Sequence, residues 1–452
     1  MIFSLNDYQE GLSAGAYAPP NTYCPFMRVN RKQYRDLEKR YDNTGNGLRK
    51  AFRSLRKRIG REHYGSTYPI QLKALHYSRM AFPAYRFILP EVLADDWLAT
   101  VDWHRPHRDH ILHQPLTAYI VLKLLTGGPD GEQPFQMPSG QSLLDECVDK
   151  ILKEDGTIYL RQFLIQIGVA KTDAWLIGGP ARRELWKALF IEAAYLAAVF
   201  HDMGYPWQYV NSLGNKLEHA GYQPDSPTPD AVRVLKAFGN RLLFCPFNGY
   251  ILADRNAPVT WHYRLHELTA KALRRTHGLP GAIGFLYLND VLREYPIERL
   301  HPIRQFCVEW AAMAIAMHDM PNLYWGDNMA TPPDNSHMRV RLEVDPLSCV
   351  VALADVLQDF SRPIATFRDR HGSKRIVEVR YDAMCESIEL ELSSAASRNE
   401  FRITYQVRKG AALAYKNTRI ADEQKQYFDT RFGYLDLSSA GITQVDMQTK
   451  LT

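Results

Sequence analysis

Closely spaced cysteines are missing from this sequence. Its six cysteines are Cys24, Cys147, Cys245, Cys307, Cys349 and Cys385, and none forms a C-x-x-C motif. Disulfide frameworks belong to small, cysteine-dense domains, and thiolate zinc sites use cysteines at short spacings. The sequence therefore argues against both kinds of site and indicates reduced thiols in a cytosolic protein.

Long apolar runs and a secretion signal are missing as well. No stretch of about twenty apolar residues occurs, and the N-terminal MIFSLNDYQEG has no basic segment followed by an apolar one. The net charge of +5 is small for 452 residues, so it does not require a nucleic-acid or membrane partner. We expect a soluble, cytoplasmic protein with no membrane partner, folded as one enlarged domain or two.

The stretch EAAYLAAVFHDMGYP, residues 192–206, lies near the middle of the chain. Residues 185–200 are nearly all apolar, which predicts a helix that is buried on every side. His201 and Asp202 follow at its last turn, Gly204 is expected to end it in a left-handed turn, and Pro206 cannot continue it. A buried imidazole and carboxylate need a charge or a metal ion as partner.

Two further apolar helices carry polar groups of the same kind. Residues 306–319, FCVEWAAMAIAMHD, end in His318 and Asp319, and residues 347–360, LSCVVALADVLQDF, place Asp355 inside an apolar run. Three buried helices thus each deliver one or two groups that can bind a metal ion. This coincidence indicates a metal site.

A fourth helix is predicted upstream, over RDHILHQPLTAYIVLKLL at residues 108–125. His110 and His113 are three residues apart and share a helix face, while Pro115 must lie in the first turn or kink the helix. Residues 126–183 contain two Gly/Pro clusters around one short helical stretch, CVDKILKE. We interpret them as an insertion between core helices.

The C-terminal part of the sequence changes character. Residues 263–294 are expected to form helices flanking THGLPGAIGFLYLNDVL, with His277 just before a glycine-rich step. From residue 375, the segments RIVEVRY, SIELELSS and FRITYQVR alternate apolar and polar residues, which predicts β-strands. An amphipathic helix near residues 423–431 follows.

The N-terminal region contains a basic segment. Residues 1–27 are rich in Gly, Pro, Tyr and Asn and are expected to form an irregular arm. A basic helix follows, with Arg49, Lys50, Arg53, Arg56, Lys57, Arg58 and Arg61 around an apolar stripe. It is either a solvated face or a surface for the phosphates of an effector nucleotide or a nucleic-acid backbone.

The order of the polar groups resembles the HD superfamily of metal-dependent phosphohydrolases. The order H…HD…D is carried by His113, His201, Asp202 and Asp355, and the resemblance covers roughly residues 100–365. His277 in HGLPGA and His318 in AIAMHD match the extra histidines of two-metal members. The gap between His113 and His201 is longer than in compact members and Pro115 intrudes, so the choice between His110 and His113 stays open.

The resemblance implies a mainly α fold, an HD-type helical bundle with a small α+β C-terminal appendage. Residues 1–100 would form the N-terminal arm and basic helical region, residues 101–374 the catalytic helical domain with the insertion, and residues 375–452 the C-terminal region. HDMGYP contains GYP, but the HHE and DGxGYP elements of cyclic-di-GMP phosphodiesterases are missing. That specificity is therefore not implied.

Imidazoles and carboxylates without thiolates suit Mn, Fe, Ni, Zn or Mg, and one or two divalent ions are expected. The first ion would be bound by His113, His201, Asp202 and Asp355, and Asp202 could bridge to a second ion held by His277 and His318. Such ions lower the pKa of bound water and neutralise phosphoryl charge. His110 is expected to act in the second shell or as a general acid, and Arg108 and Arg362 to clamp substrate phosphates.

Three functions remain open on the sequence. The first is hydrolysis of a nucleoside triphosphate, by analogy with deoxynucleoside triphosphate triphosphohydrolases, whose bacterial relatives the resemblance links to antiviral defence. The second is a phosphodiesterase acting on a cyclic nucleotide, a dinucleotide or single-stranded nucleic acid, and the third is a non-hydrolytic nucleotide sensor. We expect a homo-oligomer with a nucleotide substrate and a nucleotide effector at the basic helix, and nucleic acid is the less favoured partner.

Overall fold

The computed structural model describes most of the chain from residue 110 onward and little before it. The described residues are 1–4, 7, 110–127, 132–153, 158–167, 180–205, 207, 231–245, 261–294, 302–320, 339–360, 364–370, 373–380, 385–395, 398–407, 410–430 and 433–452. Within these ranges the chain is mainly helical with a small sheet. The prediction of a mainly α fold is confirmed.

The described helices cover the middle of the chain. They are α1 (His110–Thr126), α2 (Leu143–Leu152), α3 (Ile158–Gln166), α4 (Pro180–Phe200), α5 (Ala231–Phe238), α6 (Trp261–Arg275), α7 (Gly278–Glu294), α8 (Pro302–His318), α9 (Pro346–Leu357) and α10 (Gly410–Phe428). Among these elements, no helix combines the length and the apolar character that crossing a membrane requires.

The strands belong to one larger sheet and two strand pairs. They are β1 (Ile2–Ser4), β2 (Val340–Arg341), β3 (Ile364–Arg370), β4 (Ser373–Arg380), β5 (Cys385–Ala395), β6 (Arg398–Val407), β7 (Leu435–Asp436) and β8 (Gln444–Leu451). The larger sheet has the order β1-β5-β6-β8, antiparallel except for the parallel pair β6 and β8. β2 pairs with β7 in parallel, and β3 with β4 in an antiparallel hairpin.

Helix α8 is at the centre of the helical core, where it packs against α4, α7 and α9, and α1 packs against α4 and α9. Every residue of α9 is buried. Trp186 of α4 meets Phe306 and Trp310 of α8 edge to face, with ring centroids 5.8 and 6.0 Å apart. Helices with apolar residues all round can be stable only with such neighbours on each side, and this holds the ends of α4, α8 and α9 close together.

Two local predictions differ from the structure. The described part of residues 126–183 contains two complete helices, α2 and α3, where one was predicted, and α2 packs against α1, α4 and α9. The glycine-rich segment after His277 is itself helix α7, not a break between helices. Glycine lowers helix propensity by about 1 kcal/mol, but the close packing of this helix against neighbouring backbone favours glycine there.

The C-terminal region forms the predicted strands and more. The three alternating segments lie in β4, β5 and β6, and the last helix, α10, begins earlier than expected. β1 was not predicted: residues 2–4 were expected to be irregular, yet they pair with Ser387, Ile388 and Glu389 of β5. A strand of three residues has no periodicity to recognise, so its sequence alone does not indicate it.

Three side chains of the C-terminal region reach the ends of the core helices. The Tyr434 hydroxyl donates to the carbonyl of Met317 in α8, and the Tyr405 hydroxyl donates to the carbonyl of Val356 in α9 at 3.3 Å. Arg419 of α10 donates to the Asp359 carboxylate, just after α9, at 3.2 Å. The residues that receive these contacts lie close in sequence to His318 and Asp355.

Candidate metal centre

Five segments bring six polar residues to one place in the core. His113 lies in the first turns of α1, His201 and Asp202 directly after α4, His277 between α6 and α7, His318 at the end of α8, and Asp355 in α9. All six are buried. Core helices therefore fix the position of every member of the cluster.

The first group consists of His113, His201 and Asp355. The Nε2 atom of His113 lies 2.8 Å from Oδ1 of Asp355 and 3.1 Å from Nε2 of His201. Nε2 of His201 lies 3.6 Å from the same carboxylate oxygen. One ligand atom from each residue falls within 4.8 Å of the others, so the three can hold one metal ion.

The second group consists of Asp202, His277 and His318. Nε2 of His277 lies 3.0 Å from Oδ1 of Asp202 and 3.0 Å from Nε2 of His318. Nε2 of His318 lies 3.5 Å from the same Asp202 oxygen. His201, Asp202 and His318 also satisfy the distance limits for one ion, so the two groups are continuous.

Asp202 lies between the two groups. Its Oδ2 is 3.4 Å from Nε2 of His113, and its Oδ1 is 3.4 Å from Nε2 of His201. The same Oδ1 contacts His277 in the second group. A carboxylate in this position can bridge two cations.

The Nδ1 atoms of His201 and His318 both face carbonyl oxygens three residues earlier in the chain. His201 donates to Ala198 O at 2.7 Å, and His318 donates to Ile315 O at 2.6 Å. The last carbonyls of a helix have no partner within the helix, so a histidine at its end can satisfy one of them. Because a carbonyl only accepts, Nδ1 carries the proton and Nε2 keeps its lone pair.

His113 has the same tautomer for a different reason. Its Nδ1 contacts Oε1 of Gln358, and the Gln358 amide is oriented by donation from its Nε2 to Phe360 O at 2.9 Å. The oxygen of Gln358 is thus left to accept, so the proton of His113 is on Nδ1. Nε2 of His113 again presents a lone pair to the cluster.

His277 contacts a carboxylate instead. Its Nδ1 lies 2.7 Å from Oδ2 of Asp319, and its own backbone N–H donates to that oxygen at 2.7 Å. The Nδ1 contact is an ion-pair contact and not an aligned hydrogen bond. A lone pair on Nδ1 would be repelled by Asp319, so the proton is again on Nδ1 and Nε2 faces the cluster.

Two pairs of Nε2 lone pairs therefore face each other at about 3 Å, which is repulsive unless a cation lies between them. In the metal-free protein, additional protons on the histidine rings reduce this repulsion. Burial alone would lower the pKa of His201, but the carboxylates of Asp202 and Asp355 outweigh it and raise the pKa. Burial opposes the shift at His277 too, and Asp319 and Asp202 raise its pKa to about 10.

The donor set fits a divalent metal ion. It consists of imidazole nitrogens and carboxylate oxygens without sulfur, a combination found with Mn, Fe, Ni and Zn at catalytic rather than structural sites. The hydrogen bonds at Nδ1 are the outer contacts that orient metal-ligating histidines. A buried His/Asp cluster that can hold metal is compatible with an HD-like site.

The structure places some predicted residues here and leaves others untested. His113, His201, Asp202, His277, His318 and Asp355 come together. His110 is the first residue of α1, but its side chain lies outside the described part of the chain, as do Arg108, Arg362 and the whole basic helix. The sequence indicated Asp319 only as a group able to bind a metal ion, without a specific role, and it indicated nothing for Gln358, although both follow closely on predicted ligands.

Gly204 has a different role from the one expected. It was predicted to adopt a left-handed conformation, but its φ is not positive. Glycine is required there because a Cβ at this position would lie 1.9 Å from His277 O and 2.6 Å from Gly281 N. The turn after α4 thus approaches the backbone that carries His277.

Replacing Gly204 by alanine is expected to lower the free energy of unfolding by about 2 kcal/mol or more, because the new methyl group meets backbone that cannot move aside easily. It should also weaken metal binding, since relief of the clash displaces His277. Thermal unfolding of the metal-free protein and a Mn²⁺ titration measure the two effects.

Gly284→Ala is the matched control for this substitution. Its Cβ would meet only the flexible end of Met203, at 3.1 Å, and alanine favours a helix by up to about 1 kcal/mol. Unfolding and metal binding should therefore be unchanged or slightly improved. A Gly204→Ala protein as stable as Gly284→Ala would contradict the close approach.

Comparisons of this chain with protein-family models, with curated proteins and with solved structures give no match. The resemblance to the HD superfamily therefore rests on the order of the residues and on the cluster that they form.

Proposed function

We propose that this protein is an HD-type metal-dependent phosphohydrolase with its active site at the His/Asp cluster. Its expected reaction is hydrolysis of a phosphoester or phosphoanhydride in a nucleotide, with (deoxy)nucleoside triphosphates as the expected substrates. One observation carries the proposal: the Nε2 lone pairs of four buried histidines converge on the carboxylate of Asp202.

The residues of the cluster have separate roles in this proposal. His113, His201 and Asp355 would bind one ion, His277 and His318 a second, and Asp202 would bridge them. Bound divalent ions supply a hydroxide nucleophile at neutral pH and neutralise charge on the phosphoryl group. The acceptors at Nδ1 keep each ring in the orientation that ligation needs.

The charge of the cluster supports an anionic substrate. Two divalent ions carry four positive charges, against three negative charges from the buried carboxylates of Asp202, Asp319 and Asp355. The loaded cluster would therefore keep a net positive charge in surroundings of low dielectric constant, where charge interactions are strong. Phosphate oxygens would complete the neutralisation.

A phosphodiesterase is the second candidate. The observation that favours it is the presence of two Nε2 pairs around one shared carboxylate, because two-metal sites stabilise both the attacking and the leaving oxygen of an in-line displacement. The substrate would be a cyclic nucleotide, a dinucleotide or single-stranded nucleic acid. The two candidates differ in their products.

A nucleotide screen with added Mn²⁺ tests the proposal. Incubation with nucleoside and deoxynucleoside triphosphates, cyclic nucleotides, dinucleotides and oligonucleotides is followed by separation of phosphate, triphosphate and nucleoside monophosphate. Inorganic triphosphate with free nucleoside is expected, whereas nucleoside monophosphate from a cyclic or diester substrate would indicate the phosphodiesterase. Metal-loaded protein that binds a nucleotide without turnover would indicate a sensor and overturn the proposal.

The other parts of the proposal come from the resemblance and from residues outside the described ranges. These are nucleotide depletion in antiviral defence, a homo-oligomer, and an effector nucleotide at the basic helix. Charge reversal at Arg53, Arg56 and Lys57 tests the last of these, since unchanged kinetics and assembly would leave the basic helix as a solvated face.

A further inference from the structure

The two halves of the cluster are unequally supplied with negative charge. In the first group, His113 and His201 face Asp355 and the shared Asp202 on their Nε2 side. In the second group, the shared Asp202 is the one carboxylate among the described residues that the Nε2 atoms of His277 and His318 face. The second position is thus short of one carboxylate among the described residues.

The outer contacts are unequal in the opposite sense. The Nδ1 atoms of His113, His201 and His318 face neutral acceptors, an amide oxygen and two main-chain carbonyls. Within the described ranges, His277 is the one histidine of the cluster whose Nδ1 faces a carboxylate, that of Asp319. The second position therefore has its additional negative charge on Asp319, which contacts the outer nitrogen of His277 and not the metal position itself.

Asp319 is well placed to fix His277. Its Oδ2 contacts both Nδ1 and the backbone N–H of His277, each at 2.7 Å, so it constrains the ring and the main chain together. His277 lies between two helices, and its ring stacks on Tyr205 with a centroid distance of 3.8 Å. Gly278 allows the approach, because a Cβ there would already lie 3.2 Å from Cβ of Asp319.

A carboxylate at the outer nitrogen, Nδ1, makes the imidazole a stronger metal ligand through Nε2. It holds the proton on Nδ1 and raises the basicity of Nε2, and loss of such a partner typically costs about 10- to 100-fold in metal affinity. Asp319 is placed to act in this way, because its Oδ2 lies 2.7 Å from Nδ1 of His277 and is buried with it.

We infer that Asp319 is the positioning residue of the second metal position, and that this position, unlike the first, fills only when Asp319 supports His277. The inference rests on the proposed function insofar as the cluster binds divalent ions. It assigns a role to the second His-Asp dipeptide of the sequence, in which His318 is the ligand and Asp319 acts through another histidine.

Metal stoichiometry and the Mn²⁺ electron paramagnetic resonance spectrum of Asp319→Asn test the inference. Asparagine keeps the shape and one acceptor oxygen but removes the charge. The wild type should bind about two Mn²⁺ per chain with an exchange-coupled spectrum, whereas Asp319→Asn should bind about one with an uncoupled six-line spectrum. Affinity for the first ion should be unchanged. A purely structural role for Asp319 would not produce this selective loss.

Asp345→Asn is the matched control, because Asp345 is equally buried and accepts from the backbone N–H of Ser348 at the start of α9. It should bind two ions. If Asp319→Asn does not fold, Asp319→Glu replaces it and should bind the second ion about tenfold more weakly with the first unchanged.

The outcomes separate this inference from the proposed function. A wild-type protein that binds no divalent ion removes the proposed function itself. A wild type with one ion, or an Asp319 variant with two coupled ions at wild-type affinity, overturns the inference and leaves the phosphohydrolase proposal standing. Loss of both ions in Asp319→Asn, with both retained in Asp345→Asn, also overturns it, since the effect would not be selective.

Discussion

Asp202→Asn is expected to reduce the metal content of the protein from about two ions per chain to less than one and to lower hydrolysis by at least about a thousandfold. Asp202 is the one carboxylate in the described structure that contacts histidines of both groups. The amide has nearly the same shape, but it brings no charge and can bridge ions only weakly. Elemental analysis and the nucleotide assay measure the two losses.

Asp345→Asn controls for the removal of a buried carboxylate. Burial raises the pKa of Asp345 to about 6, and asparagine is an equally good residue at the start of a helix. This variant should keep its fold, its metal and its activity. A folded Asp202→Asn protein, judged by circular dichroism, that contains the wild-type amount of metal would refute the assignment of the centre.

Metal binding is expected to release protons and to strengthen as the pH rises. The pKa of His277 is raised to about 10, so its ring is largely protonated at pH 7 in the metal-free protein, and the pKa of His201 is raised in the same direction. A metal ion needs the lone pair that the proton occupies. The apparent affinity should therefore rise about tenfold per pH unit for each proton displaced.

Calorimetry in two buffers of different ionisation enthalpy counts these protons, and His277→Gln should release fewer than the wild type. The metal-free fold should show the opposite trend. A histidine with a raised pKa stabilises the folded state fully below its unfolded value of 6.5, and this stabilisation is lost as the pH rises towards about 10. Metal affinity that does not change between pH 6 and pH 8 would contradict the protonated state of the empty centre.

The long core helices could be predicted because the apolar character of each segment is by itself enough to indicate a buried helix. A helix whose residues are nearly all apolar has no side that favours solvent, and α4, α8 and α9 agree with that prediction. β1 could not be predicted, because its partner strand lies more than 380 residues away in sequence. The role of Gly204 could not be predicted either, because its close neighbour His277 belongs to a different segment of the sequence.

The members of the cluster could be predicted from their order in the sequence. The contacts at the Nδ1 atoms of the histidines could be predicted only in part. The bonds from His201 and His318 to carbonyls three residues back follow from their places at helix ends, and a search for such histidines would have found them. Gln358 and Asp319 required three-dimensional information. Each reaches a histidine on another segment, 245 and 42 residues away in sequence.

The contacts that Tyr434 and Arg419 make with Met317 and Asp359 affect the order in which the centre is completed during synthesis. All six cluster residues leave the ribosome before residue 419, and domains fold as their segments emerge. A nascent chain that ends after α9 already contains every candidate ligand, but the backbone next to His318 still has no hydrogen bond from Tyr434. The hydrogen bonds from Tyr434 and Arg419 can therefore form only after every candidate ligand has been synthesised.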